Sequence, residues 1–317
     1  MRISTYVYMN ASLAGIQQQQ SGIARLSSQL AADKRILQPK DDPLAAGRAM
    51  DLSASIARRT QYAVNQQQAQ LALAEEQTVL GGLADTLDQV KSVLLGGISA
   101  ANDLPLRQRY ATEMAGLYLQ VKDLANAQDS SGRYLFAGYR NTAASLAPNS
   151  QPFNHTQTVP PSPPASSPAT TYAGDANSRS VNINGDTRLR VSDDLNATVM
   201  RSGTAGADLL QLLDQLTIDL NDPNLTQATL NTHLSAIQTV VGNLELIEAD
   251  IAARQIQLEE VSKTNQSLLN LDKDALGKIQ ELDQAAAIVQ LRQRETALQA
   301  AEQAFARTAE LSLFSFL

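Results

Sequence analysis

The sequence predicts a mainly α-helical protein with long helices towards both chain ends and a small β-rich region in mid-chain. Three observations support this fold class. Apolar residues recur at alternating spacings of three and four near both ends, the pattern of helices that pack as coiled coils. Seven of the eleven prolines lie between Pro148 and Pro168, where no helix is expected. Short runs that alternate polar and apolar residues follow that cluster, as half-buried strands do.

The first and last helices show the clearest periodicity. An N-terminal strip is apolar at six of eight positions: Tyr6, Met9, Leu13, Ile16, Gln20, Ile23, Ser27 and Leu30. A second strip from Leu244 to Val289 is apolar at eleven of fourteen positions, and its polar positions are Arg254, Asn265 and Asp272. Its Asn265 is expected to fix the register of neighbouring helices, because a polar residue in such a seam specifies alignment at some cost in stability.

Two further strips, through 73–94 and 110–124, predict helices in the first half of the chain. The glycine pairs 81–82 and 96–97 fall within or just after the first of them. Glycine inside a helix costs about 1 kcal/mol relative to alanine. We therefore expect the helix to break at each pair.

The mid-chain region 133–202 is predicted to be a β-rich insertion. Residues 180–186 and 188–192 alternate polar and apolar side chains on either side of a turn. Several aromatic residues surround the proline cluster, and the Pro/Ser-rich stretch 160–168 is expected to form an outer loop.

The sequence Asp41-Asp42-Pro43 marks the start of the second helix. Asp42 suits the N-cap position, and Pro43 suits the first helical position, where its missing N–H costs nothing. Two adjacent carboxylates could also bind a metal or serve acid–base chemistry. A cap and turn is the preferred interpretation, because no histidine or third ligand lies nearby in the sequence.

Composition argues against several functional classes. The absence of cysteine excludes disulfides, thiolate nucleophiles and cysteine-ligated metals. Two histidines make a multi-histidine metal centre improbable, and a net charge of −7 argues against nucleic acid or an anionic membrane as main partner. The N-terminal sequence lacks the apolar run of a cleaved signal or a spanning helix. We expect no enzyme activity, no cofactor and no bound metal.

The terminal strips suggest helices that need additional partners. Six or seven buried apolar side chains per helix offset only part of the conformational entropy that is lost when some thirty residues become ordered. A lone pair of terminal helices is thus marginal. We hypothesise that both ends are poorly ordered in the monomer and become ordered when many copies pack together.

Three segments form a recognisable set: the start Met-Arg-Ile-Ser-Thr, the Tyr-Leu-Phe-Ala-Gly block at 134–138 and the Leu-Ser-Leu sequence near the C-terminus. Together they resemble the bacterial flagellin-like axial proteins. The matching segments occur in the order that this family shows: 1–5, 27–43, 132–139, 172–175, 297–300 and 311–317. The Pro/Ser-rich loop at 160–168 has no counterpart in that pattern.

The resemblance implies a structural subunit at the junction between the flagellar hook and the filament. Such proteins are held by an export chaperone, leave through the flagellar type III export apparatus and assemble outside the cell as a ring. The implied partners are other copies of the chain, the preceding hook-associated protein and flagellin. The implied segments are an N-terminal helix and turn, two halves of a helical middle domain around an outward β-rich domain, and a C-terminal helix: 1–43, 44–132, 133–202, 203–275 and 276–317.

The resemblance also implies that the terminal helices form the inner, assembled layer. The expected N-terminal interface residues are Ile3, Tyr6, Met9, Leu13, Ile16, Ile23 and Leu30. The expected C-terminal ones are Ile279, Leu282, Ala286, Val289, Leu298, Phe305, Leu311, Leu313, Phe314, Phe316 and Leu317.

Two other functions remain open. The chain could be flagellin itself, the bulk filament subunit, although flagellin termini usually begin and end differently. It could also be a coiled-coil module whose β-rich insertion binds a glycan or another ligand. That third function would require a ligand cleft within 133–202.

Overall fold

The computed structural model describes residues 2–143, 145–146, 151–158, 166–200 and 208–314. Within these ranges, side chains are described for residue 7 and for residues 9–307. The predicted fold class is confirmed: long helices flank a mid-chain region with two small sheets. The helices are α1 (Arg2–Ala32), α2 (Pro43–Ser99), α3 (Leu104–Ala125), α4 (Leu209–Asn221), α5 (Gln227–Gln280) and α6 (Gln284–Phe314). The strands are β1 (Phe153–Asn154), β2 (Thr171–Tyr172), β3 (Ser180–Asn182) and β4 (Arg188–Arg190), and a π-helical turn spans Asn196–Met200.

The chain divides into two compact units. A terminal unit comprises residues 1–60 and 267–317, and a central unit comprises residues 61–266. The division into five functional segments that the resemblance implies, from 1–43 to 276–317, remains a prediction. None of the helices described is long and apolar enough to cross a membrane.

The central unit is built around a core shared by α2, α3, α4 and α5. Leu87, Met114, Leu213 and Ile237, one from each helix, are fully buried. Side-chain caps define where α3 and α4 begin. Asp103 accepts a hydrogen bond from the N–H of Leu106, and Asp208 accepts from the two amides at 210 and 211. Each cap satisfies amides that have no partner within the helix.

The expected helix breaks at the glycine pairs are wrong, because α2 continues through both of them. The second pair is explained by close packing. A Cβ at Gly96 would lie 2.6 Å from the ring of Tyr110, and one at Gly97 would lie 2.7 Å from Leu220 Cδ2. Glycine there lets α3 and α4 approach the α2 backbone, and this contact offsets the weak helix propensity.

The mid-chain strands form two antiparallel pairs. β3 pairs with β4 in the register Val181 to Leu189, which confirms the predicted hairpin. β1 pairs with β2 so that Phe153 lies opposite Tyr172, with ring centroids 4.9 Å apart. The Tyr172 hydroxyl donates to the carbonyl oxygen of Phe136 at 2.9 Å. These aromatic side chains therefore belong to the core. Residues 160–165 of the outer loop predicted at 160–168 lie outside the described residues.

The strip that begins at Leu244 is buried along the part of α5 in the central unit, including Ile251 and Leu258. Asn265 is also buried, with its Nδ2 3.5 Å from Gln66 Oε1. The strip does not continue as a single helix to Val289, since α5 ends at Gln280 and α6 begins at Gln284. Periodicity alone missed this interruption.

Candidate assembly site

The two terminal helices pack against each other in the terminal unit. α1 and α6 run antiparallel, because Asp33 contacts Gln284 and Gln19 contacts Arg294. On each helix, the less exposed residues recur at alternating spacings of three and four and form a strip between the two helices. In α1 these are Met9, Ser12, Ile16, Gln19, Ile23, Leu26 and Leu30, and in α6 they are Ala287, Leu291, Arg294, Leu298, Ala301 and Phe305. This spacing is that of a coiled-coil seam.

One close contact explains a small residue in the seam. A Cβ at Gly22 would lie 2.4 Å from Arg294 Nη1, so the guanidinium lies against the α1 backbone there. Arg294 Nη1 also lies 3.4 Å from Gln19 Oε1. The seam is thus partly polar and aligns the two helices through directional contacts.

The end of α1 is locked by a Schellman motif. The N–H of Asp33 donates to the carbonyl of Leu30, and that of Lys34 donates to the carbonyl of Gln29. Asp33 takes the required left-handed conformation with φ of 51°. The chain then bonds to the end of α5, where the N–H of Arg35 donates to the carbonyl of Gln280 at 2.8 Å.

The three residues predicted as cap and turn lie at the start of α2. The helix begins at Pro43, and Asp42 Oδ1 accepts the N–H of Ala45 at 3.0 Å. Asp41 Oδ2 accepts the amides of Leu37 and Gln38 at 3.1 and 3.0 Å. Donation from Gln38 is the main cause that lowers the pKa of Asp41. Both carboxylates have structural partners that fix the connection from α1 to α2.

A further polar contact joins α2 and α5 within the terminal unit. Asp272 Oδ2 lies 2.8 Å from both Ser55 Oγ and Arg59 Nε. The hydrogen bond from Ser55 and then that from Arg59 lower the pKa of Asp272. This polar member of the predicted strip therefore aligns the two helices.

The predicted N-terminal interface residues do not all lie in the seam with α6. Met9, Ile16, Ile23 and Leu30 are half-buried, whereas Leu13 has 42% of its surface exposed. The side chains of Ile3 and Tyr6 lie outside the described residues.

Of the predicted C-terminal residues, Leu298 and Phe305 are half-buried and lie in the seam. Ile279 in α5 and Leu282 between α5 and α6 are half-buried outside α6, whereas Ala286 is exposed and Val289 is 55% exposed. The side chains of Leu311, Leu313 and Phe314 lie outside the described residues, as do Phe316 and Leu317 entirely.

Sequence reasoning missed several residues that pack between α1 and α6. Leu26, Gln29, Ala287 and Leu291 are buried or half-buried, although none of them is in the predicted strips. A three-four count started one residue earlier, through Ser12, Gln19 and Leu26, would have found Leu26 but not Gln29, whose Nε2 donates to the carbonyl of Arg35.

An outer face of apolar side chains is left open on the terminal pair. We use this name for Val7, Leu13, Ile288 and Val289, whose exposed fractions are 59%, 42%, 43% and 55%. Exposed apolar side chains on long helices offer packing surface for additional helices. The arrangement can therefore support helix association, with one seam closed within the chain and further apolar surface available.

The central unit contains a cleft of about 800 Å³ that bears on the ligand-binding alternative. Leu71 of α2, Arg133, and Arg179 beside β3 contribute to its lining. Tyr139 is the aromatic side chain among its described lining residues. Most of the lining side chains are polar or charged, whereas ligand pockets are lined mainly by apolar and aromatic side chains, so the cleft gives the ligand-binding alternative little support.

Comparison with known proteins identifies the class of molecule that has this architecture. Residues 3–141 match the bacterial flagellin N-terminal helical region. Over this part the chain is similar to flagellin-type axial proteins, which confirms the resemblance noted in the sequence.

The similarity extends to a particular protein, flagellar hook-associated protein 3. The chain is 26% identical to that protein from Escherichia coli over 333 aligned positions, covering 99% of both chains. It is 36% identical to that of Salmonella typhimurium over 146 residues, a match that spans 45% of each chain. The crystal structure of hook-associated protein 3 from Legionella pneumophila has the same fold, with a TM-score of 0.61 at 16% identity, covering 72% of this chain and 98% of that one.

Proposed function

We propose that this chain is a structural subunit of the bacterial flagellum that joins the hook to the flagellin filament. The observation that supports this most strongly is similarity to hook-associated protein 3 over 99% of both chains. The relatives are structural flagellar proteins, and the paired terminal helices with an exposed outer face suit a subunit that functions by packing against others. An enzyme role has no comparable support.

In this proposal the outer face contacts neighbouring copies in a ring. The ring lies outside the cell, between the preceding hook-associated protein and flagellin, after export with the help of a chaperone. Covering partly exposed apolar side chains on each helix supplies part of the stability that a two-helix pair lacks. The terminal helices would then be better ordered in the ring than in the monomer.

Deletion of the gene in its source bacterium tests the role in the cell. We expect electron microscopy to show hooks without filaments, and immunoblotting to detect flagellin in the medium. Hooks without filaments and without any flagellin would identify the chain as flagellin. Normal filaments in a strain with no second copy of the gene would contradict the proposal.

Complementation tests the outer face itself. We expect the double variant Leu13→Gln, Val289→Gln to keep the far-UV circular dichroism of the wild-type monomer but to fail to restore filaments. Leu119→Gln is the matched control, because Leu119 on α3 is 51% exposed and lies in the central unit. Restoration of filaments by the double variant would exclude the outer face as the assembly contact.

A further inference from the structure

A cluster of charged side chains lies where the hairpin of β3 and β4 meets α2 and α5 in the central unit. Glu76 of α2 is 1% exposed and Arg254 of α5 is 7% exposed. Asp193, just after β4, is 8% exposed and lies between them. Buried charges are costly unless each is paired and hydrogen-bonded. The pairing in this cluster is uneven.

The guanidinium of Arg254 forms its ion pairs and hydrogen bonds with groups other than Glu76. Its Nη2 pairs with Asp193 Oδ2 and lies 3.2 Å from Asp250 Oδ2. Its Nη1 donates a hydrogen bond to the carbonyl of Arg190 at 3.0 Å. Arg190 itself pairs with Asp193 at 3.1 Å and with Asp250. These contacts attach the β4 end of the hairpin to α5.

Glu76 has a weaker set of contacts. Its Oε1 accepts the N–H of Asp193 at 2.8 Å, whereas its buried Oε2 has no hydrogen-bond partner among the described residues. Arg179, just before β3, interacts electrostatically with Glu76, and its Nε is likewise buried without a partner in the described part of the chain. The Arg179 guanidinium faces Asp129 at 4.0 Å instead, and Asp129 also pairs with Arg133.

The hairpin is held to the helices at two places. Towards its tip, Gln66 Nε2 donates to the carbonyl of Ile183 and Asn65 Nδ2 donates to that of Asn182, each at 2.8 Å. At its base, the contacts of Glu76 and Arg254 join residues 190–193 to α2 and α5. The base attachment therefore depends on a buried carboxyl group that has one neutral donor and no ion pair within the described residues.

We propose that Glu76 acts as a proton-controlled latch: as a neutral carboxyl it stays buried between α2 and the base of the hairpin, whereas as a carboxylate without an ion pair in the described residues it requires water, which loosens the attachment of the hairpin. This inference lies in the central unit and does not depend on the assembly role of the terminal helices. The failure of either idea leaves the other intact.

The direction of the pH dependence follows from the environment of Glu76. Burial first, and then the negative charge of Asp193, raise the pKa of Glu76 to about 7, although the Asp193 amide, Arg254 and Arg179 oppose this. Glu75, the neighbouring carboxylate on α2, is only half-buried. A carboxyl whose folded pKa exceeds its ordinary value of 4.5 binds more protons when the latch is closed. Closure is therefore favoured below pH 4.5 and is progressively lost as the pH rises through about 7.

Hydrogen exchange of the full chain tests the latch. Mass spectrometry of peptides covering 179–195, corrected for the intrinsic pH dependence of exchange, reports how often the hairpin opens. We expect the wild-type protection factor to fall by up to ~75-fold between pH 5 and 8.5, because part of the full ~300-fold effect of the pKa difference is already lost below pH 5. The amides of Ile183 and Val191 lie in this region and have hairpin acceptors at 3.0 and 2.8 Å.

Glu76→Gln removes the titration while keeping the shape of the side chain, so its protection factor should not change over this pH range. Glu75→Gln is the matched control and should keep the wild-type decline. If Glu76→Gln does not fold, Glu76→Met provides a second uncharged side chain of similar length with the same expectation. A wild-type protein without the decline, or a decline that persists in the uncharged variants, would overturn the latch.

Discussion

Two glycines with the same backbone conformation provide a sharp test of the packing described above. Gly132 and Gly138 flank the Tyr-Leu-Phe-Ala block and have φ of 74° and 65°. A Cβ at Gly132 would meet nothing within 4 Å. One at Gly138 would lie 2.0 Å from Asp175 Oδ1 and 2.5 Å from the Asp175 carbonyl oxygen. Alanine substitution thus separates backbone strain from a steric clash.

The two substitutions should differ in magnitude for a definite reason. Gly132→Ala introduces the left-handed strain alone, about 1–2 kcal/mol. Gly138→Ala adds a collision with a carboxylate that accepts the amides of Tyr139 and Asn177, each at 3.0 Å. Losing hydrogen bonds to a charged group costs about 1.5–3 kcal/mol each. We therefore expect Gly138→Ala to reduce the free energy of unfolding by at least about 4 kcal/mol.

Equilibrium urea unfolding followed by far-UV circular dichroism measures both variants against the wild type. Midpoints are comparable only if the slope m is unchanged, because the chain has two units and need not unfold in one step. Exchange of the Asp175 amide, which donates to the Ala137 carbonyl at 3.2 Å, reports the local effect. Equal losses in the two variants, within about 0.5 kcal/mol, would refute the steric argument.

Two further substitutions test buried and capping carboxylates. Asp214 is fully buried and accepts from the Thr158 amide, the Thr158 hydroxyl and the Ser167 hydroxyl. Asp214→Asn directs an amide donor towards these donors and should lower the free energy of unfolding, measured with urea, by roughly 2–4 kcal/mol. The control Asp88→Asn, at an exposed position, should change that free energy little. Asp42→Ala removes the cap of α2 and should cost about 1 kcal/mol. Thermal unfolding would show this as a lower midpoint than for the exposed control Asp51→Ala, and equal midpoints would contradict the capping role.

Local patterns in the sequence were sufficient for the presence of long helices, the hairpin and the start of α2, but not for the interruption between α5 and α6. Alternating side chains around 180–192 predicted the pairing of β3 with β4, because one face of that hairpin is buried. The same local reasoning failed at 96–97. The preference of glycine against helix is a property of the residue, whereas the contacts with Tyr110 and Leu220 depend on the tertiary packing of other helices.

The charged cluster around Glu76 had no signal in the sequence. Its members Glu76, Arg179, Asp193 and Arg254 come from distant parts of the chain, so no spacing rule relates them. Arg254 was visible only as a polar interruption in an apolar strip. The folded arrangement alone shows that Arg254 pairs with Asp193 and leaves Glu76 without an ion pair in the described residues.

The terminal helices show why a heptad strip does not identify a single partner. Met9, Ile16, Ile23 and Leu30 are seven residues apart and fall in both the predicted strip and the observed seam. On one side of this row lie Ser12, Gln19 and Leu26, towards α6, and on the other side lies Leu13, which is 42% exposed. A two-helix pair covers one side of such a row, so the apolar surface on the other side can contribute stability only when another helix covers it. The periodic strip therefore contains a closed intramolecular seam and an outer face, and mass action among copies would stabilise the terminal unit through that face.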